Sequence, residues 1–322
     1  MEDNKKQLIS FVIPCYKSVK TLEQVVNTIR ETVSARPEFD SEIILVNDCS
    51  PDGGETWRLI EDLHRRYDNI VGVDLAKNSG QTCAVMAGLR TSKGDFVTVS
   101  DDDGQTPINR VFEFYDYMQE GGFDVVCAHY TSRGKRSLFR EFGSWMNQTM
   151  VKYFLDEPKG LSTSGFFFAK RFIVDEMVKY SNAFPHMGGL MLRTTHNIGN
   201  IDMSMNDRAA GRSNYNFKKL LKIWVNGITT FSIKPLRLTC FLGMLMVFIS
   251  VIVIIALIIS KLTNPLITIG WTSMIATTLL IGGMILFVLG VIGEYIGRIY
   301  LSLNQNPQYV VRTVLDRENG EK

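Results

Sequence analysis

Between Arg237 and Glu294 the sequence has almost no charge. Of 322 residues 21% are charged, yet this stretch carries Lys261 and no other Asp, Glu, Lys or Arg. It divides into uncharged runs at 238–260 and 262–293, the second broken early by Asn264-Pro265. A bilayer-spanning helix needs about 20 mostly apolar residues. Two spans, about 237–260 and 267–292, joined by a tight turn at 261–265, therefore fit the numbers. Other absences exclude whole classes. No Gly-x-Gly-x-x-Gly or Gly-x-x-x-x-Gly-Lys-Ser/Thr occurs, so dinucleotide and P-loop readings lack their phosphate cradle. The five cysteines (Cys15, Cys49, Cys83, Cys127, Cys240) are odd in number and contain no Cys-x-x-Cys. That argues against a disulfide framework or zinc site and suits a reducing compartment, with small buried thiols. His64, His129, His186 and His196 have no metal-ligand spacing. A net charge of +2 gives no reason to expect nucleic acid as a partner. Residues 1–10 lack an apolar core, so no secretory signal is expected and the first domain is placed in the cytoplasm. No period of 20–50 residues repeats, which rules out a solenoid.

What is present up to Pro107 alternates between two periods. Short apolar runs at 8–14, 42–46, 70–75 and 95–100 predict buried strands. Between them, 21–33, 56–67 and 82–90 carry helical spacing, the first with Thr21 as N-cap. Strands alternating with helices predict a doubly wound, mostly parallel α/β sheet. Further on, helices are expected at 111–120, 140–155 and 171–180, and strands at 123–129 and 166–168; residues 182–206 carry no clear pattern.

Ligands of such sheets bind at the carboxyl ends of the strands. The polar clusters at 15–18, 47–52, 77–81 and 101–105 all fall there. Asp101-Asp102-Asp103 closes the fourth strand, and three adjacent carboxylates repel unless a cation relieves them. A hard divalent ion takes oxygen ligands, often one or two carboxylates plus substrate phosphates. Residues two apart on extended chain share a face, so Asp101 and Asp103 act together, Asp102 faces elsewhere, and Gln105 adds a carbonyl oxygen.

Basic residues cluster before the first apolar run (Lys218, Lys219, Lys222, Lys234, Arg237) and after the second (Arg298, Arg312, Arg317). The positive-inside rule then puts both termini in the cytoplasm. Residues 217–231 mix lysines with Leu220, Leu221, Ile223, Trp224 and Val225, the composition of an amphipathic helix on a bilayer surface. The organisation expected is a catalytic domain at 1–214, an interfacial region at 215–235, two transmembrane helices within 236–293, and a cytoplasmic tail at 294–322.

Five segments, in order, resemble those of family 2 glycosyltransferases with the GT-A fold, and more narrowly dolichyl-phosphate mannose synthases and bacterial polyprenyl-phosphate glycosyltransferases. They are Val12-Ile13-Pro14-Cys15-Tyr16, Val46-Asn47-Asp48-Cys49-Ser50-Pro51-Asp52, Asn78-Ser79-Gly80-Gln81, Asp101-Asp102-Asp103-Gly104-Gln105-Thr106-Pro107, and Arg208 with Gly211-Arg212-Ser213-Asn214-Tyr215. The stretch 293–300 is similar to the family's segment after the last span. The resemblance implies an inverting, metal-dependent transfer of a sugar from a nucleotide-diphosphate sugar to a polyprenyl phosphate. It implies donor contacts from Pro14, Cys15, Tyr16, Ser18, Asn47, Asp48, Asn78, Gln81 and Asp101–Asp103. Mg2+ or Mn2+ would sit on Asp101, Asp103 and Gln105, and the acceptor phosphate on Arg208, Arg212 and Ser213. Asp101, Asp103, Arg208 and Arg212 are the expected catalytic set. The setting implied is the bacterial inner membrane, with the catalytic domain cytoplasmic; a homo-oligomer is compatible with it.

The sequence departs from the family at four places. Lys17-Ser18 stand where Asn-Glu is usual, and Asn47 replaces an aspartate. Leu161 and Phe167 stand where the mannose synthases have an acid and an arginine, and Asn214 replaces a lysine. A different lipid or glycan acceptor, or an inactive membrane scaffold, are the competing readings. A processive synthase is disfavoured, because no Gln-x-x-Arg-Trp is present.

Overall fold

The computed structural model describes residues 6–132, 161–182, 185–204, 270–303 and 307–317, with isolated positions between 236 and 263. The expected helix at 140–155, the interfacial segment 217–231, and Arg208, Arg212 and Ser213 lie outside the described residues.

The chain up to Arg110 alternates as the apolar pattern predicts: β1 (Gln7–Cys15), α1 (Leu22–Ser34), β2 (Phe39–Asn47), α2 (Glu55–Arg66), β3 (Ile70–Leu75), α3 (Gln81–Thr91) and β4 (Phe96–Val99). After a 3-10 turn come α4 (Val111–Gly121), β5 (Val125–Ser132), β6 (Phe167–Lys170), α5 (Arg171–Met177), α6 (Met187–Thr194), β7 (Ile198–Ser204), α7 (Trp271–Leu303) and β8 (Val311–Leu315). Thr21 does occupy the N-cap position of α1, but its side chain does not cap; the hydroxyl turns back to the Ser18 carbonyl at 3.4 Å.

The eight strands form one sheet in the order β7-β5-β6-β4-β1-β2-β3-β8. Its centre, β4-β1-β2-β3, is parallel. Antiparallel strands flank that centre, β6 beside β4 and β8 beside β3, so the sheet is mixed. β1 is buried from Ile9 to Cys15, which is why it reads as a continuous apolar run rather than an alternating one. Its Ile9, Phe11 and Ile13 join the main core with Leu22, Val26 and Ile29 of α1, Ile60 and Leu63 of α2, and Phe114 and Met118 of α4. The other face receives α3. A Cβ on Gly88 would lie 2.3 Å from Val12 Cγ1 and 3.1 Å from Val46 Cγ2, so glycine lets α3 approach β1 and β2.

The chain runs from β1 outward through β2 to β3, then returns to place β4 on the other side of β1. That reversal is a topological switch point, where the carboxyl ends of two strands diverge and leave a crevice. The β1–β4 ladder ends at Val12–Val99, so Pro14, which has no N–H to give, falls past it.

Two compact units divide the chain: 1–224 with 305–322, and 225–304. The second contains α7, whose 33 residues span about 50 Å at ~1.5 Å each. Its segment Leu280–Gly297 is long and apolar enough to cross a membrane, and none of it is buried. Leu286 is 71% exposed and Phe287 59%. The described positions of the first apolar run are helical, and Phe241, Met244, Phe248, Ile252, Ile255 and Ile259 among them are exposed as well.

Residues 311–315, expected in a tail, are instead the edge strand β8. Gly72 pairs with Leu315, Val73 with Val314 and Asp74 with Thr313. Arg312 and Arg317, counted above as basic residues flanking the hairpin, are committed to this strand: Arg312 pairs with Asp74, and Arg317 with Asp68 and the His64 and Arg65 carbonyls.

Candidate active site

Four loops leave the carboxyl ends of β1 to β4, and polar side chains tie each to its neighbours. The β1 loop is held from the β4 side. Asp102 Oδ2 accepts from the Tyr16 N–H at 3.1 Å and from the Ser18 hydroxyl, and so bridges the crevice. Burial pushes the Asp102 carboxyl up, the Ser18 and Tyr16 donors pull it down, and the charge of Asp103 adds to the rise. Cys15 beneath is fully buried; desolvation first, and the Asp102 charge second, push its thiol well above the usual range. Tyr16 is 45% exposed, with the Lys17 ammonium 5.8 Å from its ring centre.

The β2 loop is built around two side chains. Asn47 Nδ2 donates to Asp74 Oδ1 at 2.7 Å, while its Oδ1 accepts from the Ser50 N–H (3.2 Å) and hydroxyl (2.8 Å). Donation to Asp74 is something an aspartate at position 47 could not do, which gives this departure from the family pattern a local cause. Asp48 reaches into the β3 loop, where its two oxygens accept from Ser79 N–H (2.7 Å) and Gly80 N–H (2.9 Å). It is only 3% exposed, and burial raises its carboxyl despite those two donors. Asn78 returns the tie by donating to the Asp48 carbonyl at 3.2 Å. Asp52 caps the first turn of α2. Burial opposes its charge, but bonds from the Thr56 hydroxyl and the Thr56 and Gly54 N–H groups hold it below the ordinary carboxylate range.

The β3 and β4 loops meet at Gln81, whose Nε2 donates to Asp101 Oδ1 at 2.7 Å. Asp103 Oδ1 accepts the Gln105 N–H at 3.0 Å across Gly104, which has φ +74°. Tyr130 on β5 belongs to this end of the site. Burial first, then the charges of Asp101 and Asp103, push its phenol far up, so it stays a hydrogen-bond donor there.

Among the described residues, no three His, Cys, Asp or Glu side chains converge to hold a metal by themselves. Asp101, Asp103 and Gln105 offer oxygen donors alone, a set that suits a hard divalent cation completed by further oxygens from a bound phosphate. Of the expected donor contacts, Pro14, Cys15, Tyr16, Ser18, Asn47, Asp48, Asn78, Gln81 and the three aspartates are all brought to this end of the sheet. Cys15, Asn47 and Asp48 are buried within it, and the side chains of Asn47 and Asp48 hold loops. Phe167, in the position of the family arginine, is fully buried in β6 opposite Val99. Tyr130, Asp74 and Arg312 were not singled out as site residues. Asp74 had a signal, a lone acid inside an otherwise apolar strand; Tyr130 and Arg312 had none, because their partners are distant in sequence.

A parallel core that switches direction at β1/β4, with Asp101 and Asp103 beside the switch, is a doubly wound α/β domain with its ligand crevice at the carboxyl ends of these strands. The model of glycosyl transferase family 2 matches residues 10–178, and that of the GtrB C-terminal hairpin matches 234–299. The chain belongs to glycosyl transferase family 2. It is 32% identical over 313 residues to the uncharacterized glycosyltransferase YkcC of Bacillus subtilis, covering 96% of this chain and 95% of that protein. It is 30% identical over 312 residues to the bactoprenol glucosyl transferase of Shigella phage SfX, covering 95% and 99%. Among solved structures, glucosyl-3-phosphoglycerate synthase from Mycobacterium tuberculosis shares the fold, with TM-score 0.51, 19% identity, and 70% and 79% of the two chains covered. Its complex with Mn2+, UDP and glucosyl-3-phosphoglycerate gives TM-score 0.50 at 18% identity, covering 70% and 78%.

Proposed function

We propose that this chain transfers a sugar from a nucleotide-diphosphate sugar to a polyprenyl phosphate, at the cytoplasmic face of a bacterial inner membrane that its apolar hairpin crosses. The observation that carries the reading is the joining of two features in one chain. One is a carboxylate pair at the switch point of a family 2 domain; the other is an apolar helix with none of its membrane-length segment buried. Relatives named for a bactoprenol acceptor, at about this chain's full length, support the lipid half.

Each group has a task in this reading. Tyr16, exposed at the end of β1, offers a face for the nucleoside base, and the β1 loop around it is held by Asp102. Asp101, Asp103 and Gln105 would hold Mg2+ or Mn2+, which when bound neutralises charge on the leaving diphosphate. Gln81 orients Asp101, and the Gln105 N–H orients Asp103. Tyr130, kept protonated between burial and two carboxylates, can donate to an oxygen of donor or acceptor.

The acceptor does much of the chemistry itself. A phosphate monoester carries about −1.5 to −2 charges at pH 7. It is therefore a nucleophile without a strong general base, and the enzyme's work is alignment and charge stabilisation. One oxygen of the acceptor phosphate bonds to the anomeric carbon as the bond to the nucleoside diphosphate breaks, and a single displacement inverts that carbon. Arg208 and Arg212, with Ser213, are assigned the grip on the acceptor phosphate by charge-assisted hydrogen bonds.

The test is transfer to lipid. Membranes containing the chain are incubated with labelled UDP-, GDP- and dTDP-sugars and undecaprenyl phosphate, then extracted with organic solvent. One donor should move label into the lipid fraction. Label that enters only water-soluble or polymeric material would replace this acceptor with another.

A further inference from the structure

The strand that follows the hairpin is wired to the donor end of the sheet. β8 begins eight residues past the end of α7 and pairs antiparallel with β3. Arg312 Nη1 donates to Asp74 Oδ2 at 3.0 Å, and its Nη2 donates to the Ala76 carbonyl at 3.2 Å. Asp74 is 4% exposed at its side chain, so it is a buried carboxylate whose cation comes from a strand 238 residues away. Its other oxygen accepts from Asn47 Nδ2.

The direction of every later bond follows from that carboxylate. A carboxylate only accepts, so the NH2 of Asn47 must face it and the amide oxygen must face the β2 loop. That oxygen takes the Ser50 hydroxyl proton at 2.8 Å, which leaves the Ser50 oxygen to accept the Lys17 N–H at 3.1 Å. Lys17 has φ +60° and Cys49 φ +48°, both in the left-handed region that non-glycine residues rarely enter without support. Both lie on loops that this relay holds. A chain of bonds thus runs Arg312–Asp74–Asn47–Ser50–Lys17, and it ends next to Tyr16.

We infer that Arg312 is a positioning residue for the nucleotide pocket: by pairing with Asp74 it holds in place the carboxylate that sets the hydrogen-bond polarity of Asn47 and Ser50, and through them the turn that presents Tyr16. The inference rests on the donor site proposed above and adds that the segment after the hairpin helps to build it. Arg312 also touches the carbonyl from which the β3 loop departs, so one side chain bears on two of the four loops.

The experiment uses the full chain in detergent, with UDP, GDP and dTDP titrated calorimetrically in Mn2+. Arg312→Ala should weaken the nucleotide that binds by about tenfold, the loss expected for a charge-assisted contact acting through one relay. Arg312→Lys, which keeps the cation but not the fork, should fall between the two and serves if the alanine variant does not fold. Arg317→Ala is the control. It removes a neighbouring anchor just past β8, on the exposed Asp68 and two carbonyls, and has no link to the relay. It should lower the unfolding temperature while leaving nucleotide affinity as it was. Asp74→Asn added to Arg312→Ala should cost less affinity than the two single losses combined, because both act on one path. Equal affinity in Arg312→Ala and wild type, or an equal loss in Arg317→Ala, would overturn the inference while the proposed function stands. A wild type that binds none of the three removes the functional reading, and this one with it.

Discussion

Asp101, Asp102 and Asp103 are adjacent and identical, yet their surroundings divide the work. Asp102 is spent on Tyr16 and Ser18, and Asp101 and Asp103 bear on Tyr130. Asp101→Asn or Asp103→Asn should therefore abolish transfer with little change in unfolding temperature, and EDTA should do the same to the wild type. Full activity in excess chelator would remove the metal from the account. Asp52 gives the pH-dependent case. Its folded-state value lies below the ordinary range, so its stabilisation is present above about pH 4. It is lost as the pH falls through the lower folded value. Asp52→Ala should cost about 1 kcal/mol at pH 7, as the loss of a helix cap. The gap between variant and wild-type unfolding should shrink as the pH falls below about 4, the ordinary carboxylate value; an unchanged gap in acid would show that the carboxylate charge is not what Asp52 supplies. The polar residue types of the site were legible because they punctuate apolar runs. Their assignments were less so: Asp48, expected against the nucleoside, spends both oxygens on Ser79 and Gly80, a partnership 31 and 32 residues distant.

At the level of elements, the first four strands and three helices could be read because their packing is local and periodic. β1 to β4 are buried runs bounded by turn residues, and α1 carries Leu22, Val26, Ile29 and Val33 on one face. β7 and β8 could not be read. β7 alternates weakly in burial, and β8 is a five-residue strand whose partner lies more than 230 residues earlier, so nothing nearby in sequence marks either. The family resemblance did not supply β8 either, since its motifs cover loops rather than edges. Close packing of α3 is the feature most exposed to mutation. Gly88→Val would drive a side chain into Val12 and Val46, where even a Cβ comes within 2.3 Å. Overpacking of this kind costs typically about 1–3 kcal/mol. A marked drop in unfolding temperature is expected, and with it weaker nucleotide binding, because β1 and β2 carry the first two loops. An unperturbed variant would show that α3 can move away freely.

For the whole molecule, β8 constrains how the chain crosses a bilayer. Residues 7–15 and 311–315 belong to one sheet, so the chain on either side of the hairpin must lie on the same side of any membrane it enters. The number of crossings must then be even, which agrees with the two spans proposed for the apolar hairpin. Tags before Met1 and after Lys322 should both report cytoplasmic, and a tag between Lys261 and Pro265 should report the outer side. An external C-terminus would require β8 to leave the sheet. It would also undo the Arg312–Asp74 pair on which the donor loops depend.

The acceptor's own phosphate is the nucleophile in this mechanism, which makes one comparison decisive. Purified chain, the labelled donor that it accepts and Mn2+ are incubated with undecaprenyl phosphate or with undecaprenol, the same lipid without its phosphate, and the lipids are weighed by mass spectrometry. A product heavier by one sugar residue is expected from the phosphate and none from the alcohol, since no general base among the described groups is assigned to activate a hydroxyl. Equal glycosylation of the alcohol, or no lipid product from the phosphate with a donor that the chain demonstrably binds, would contradict it.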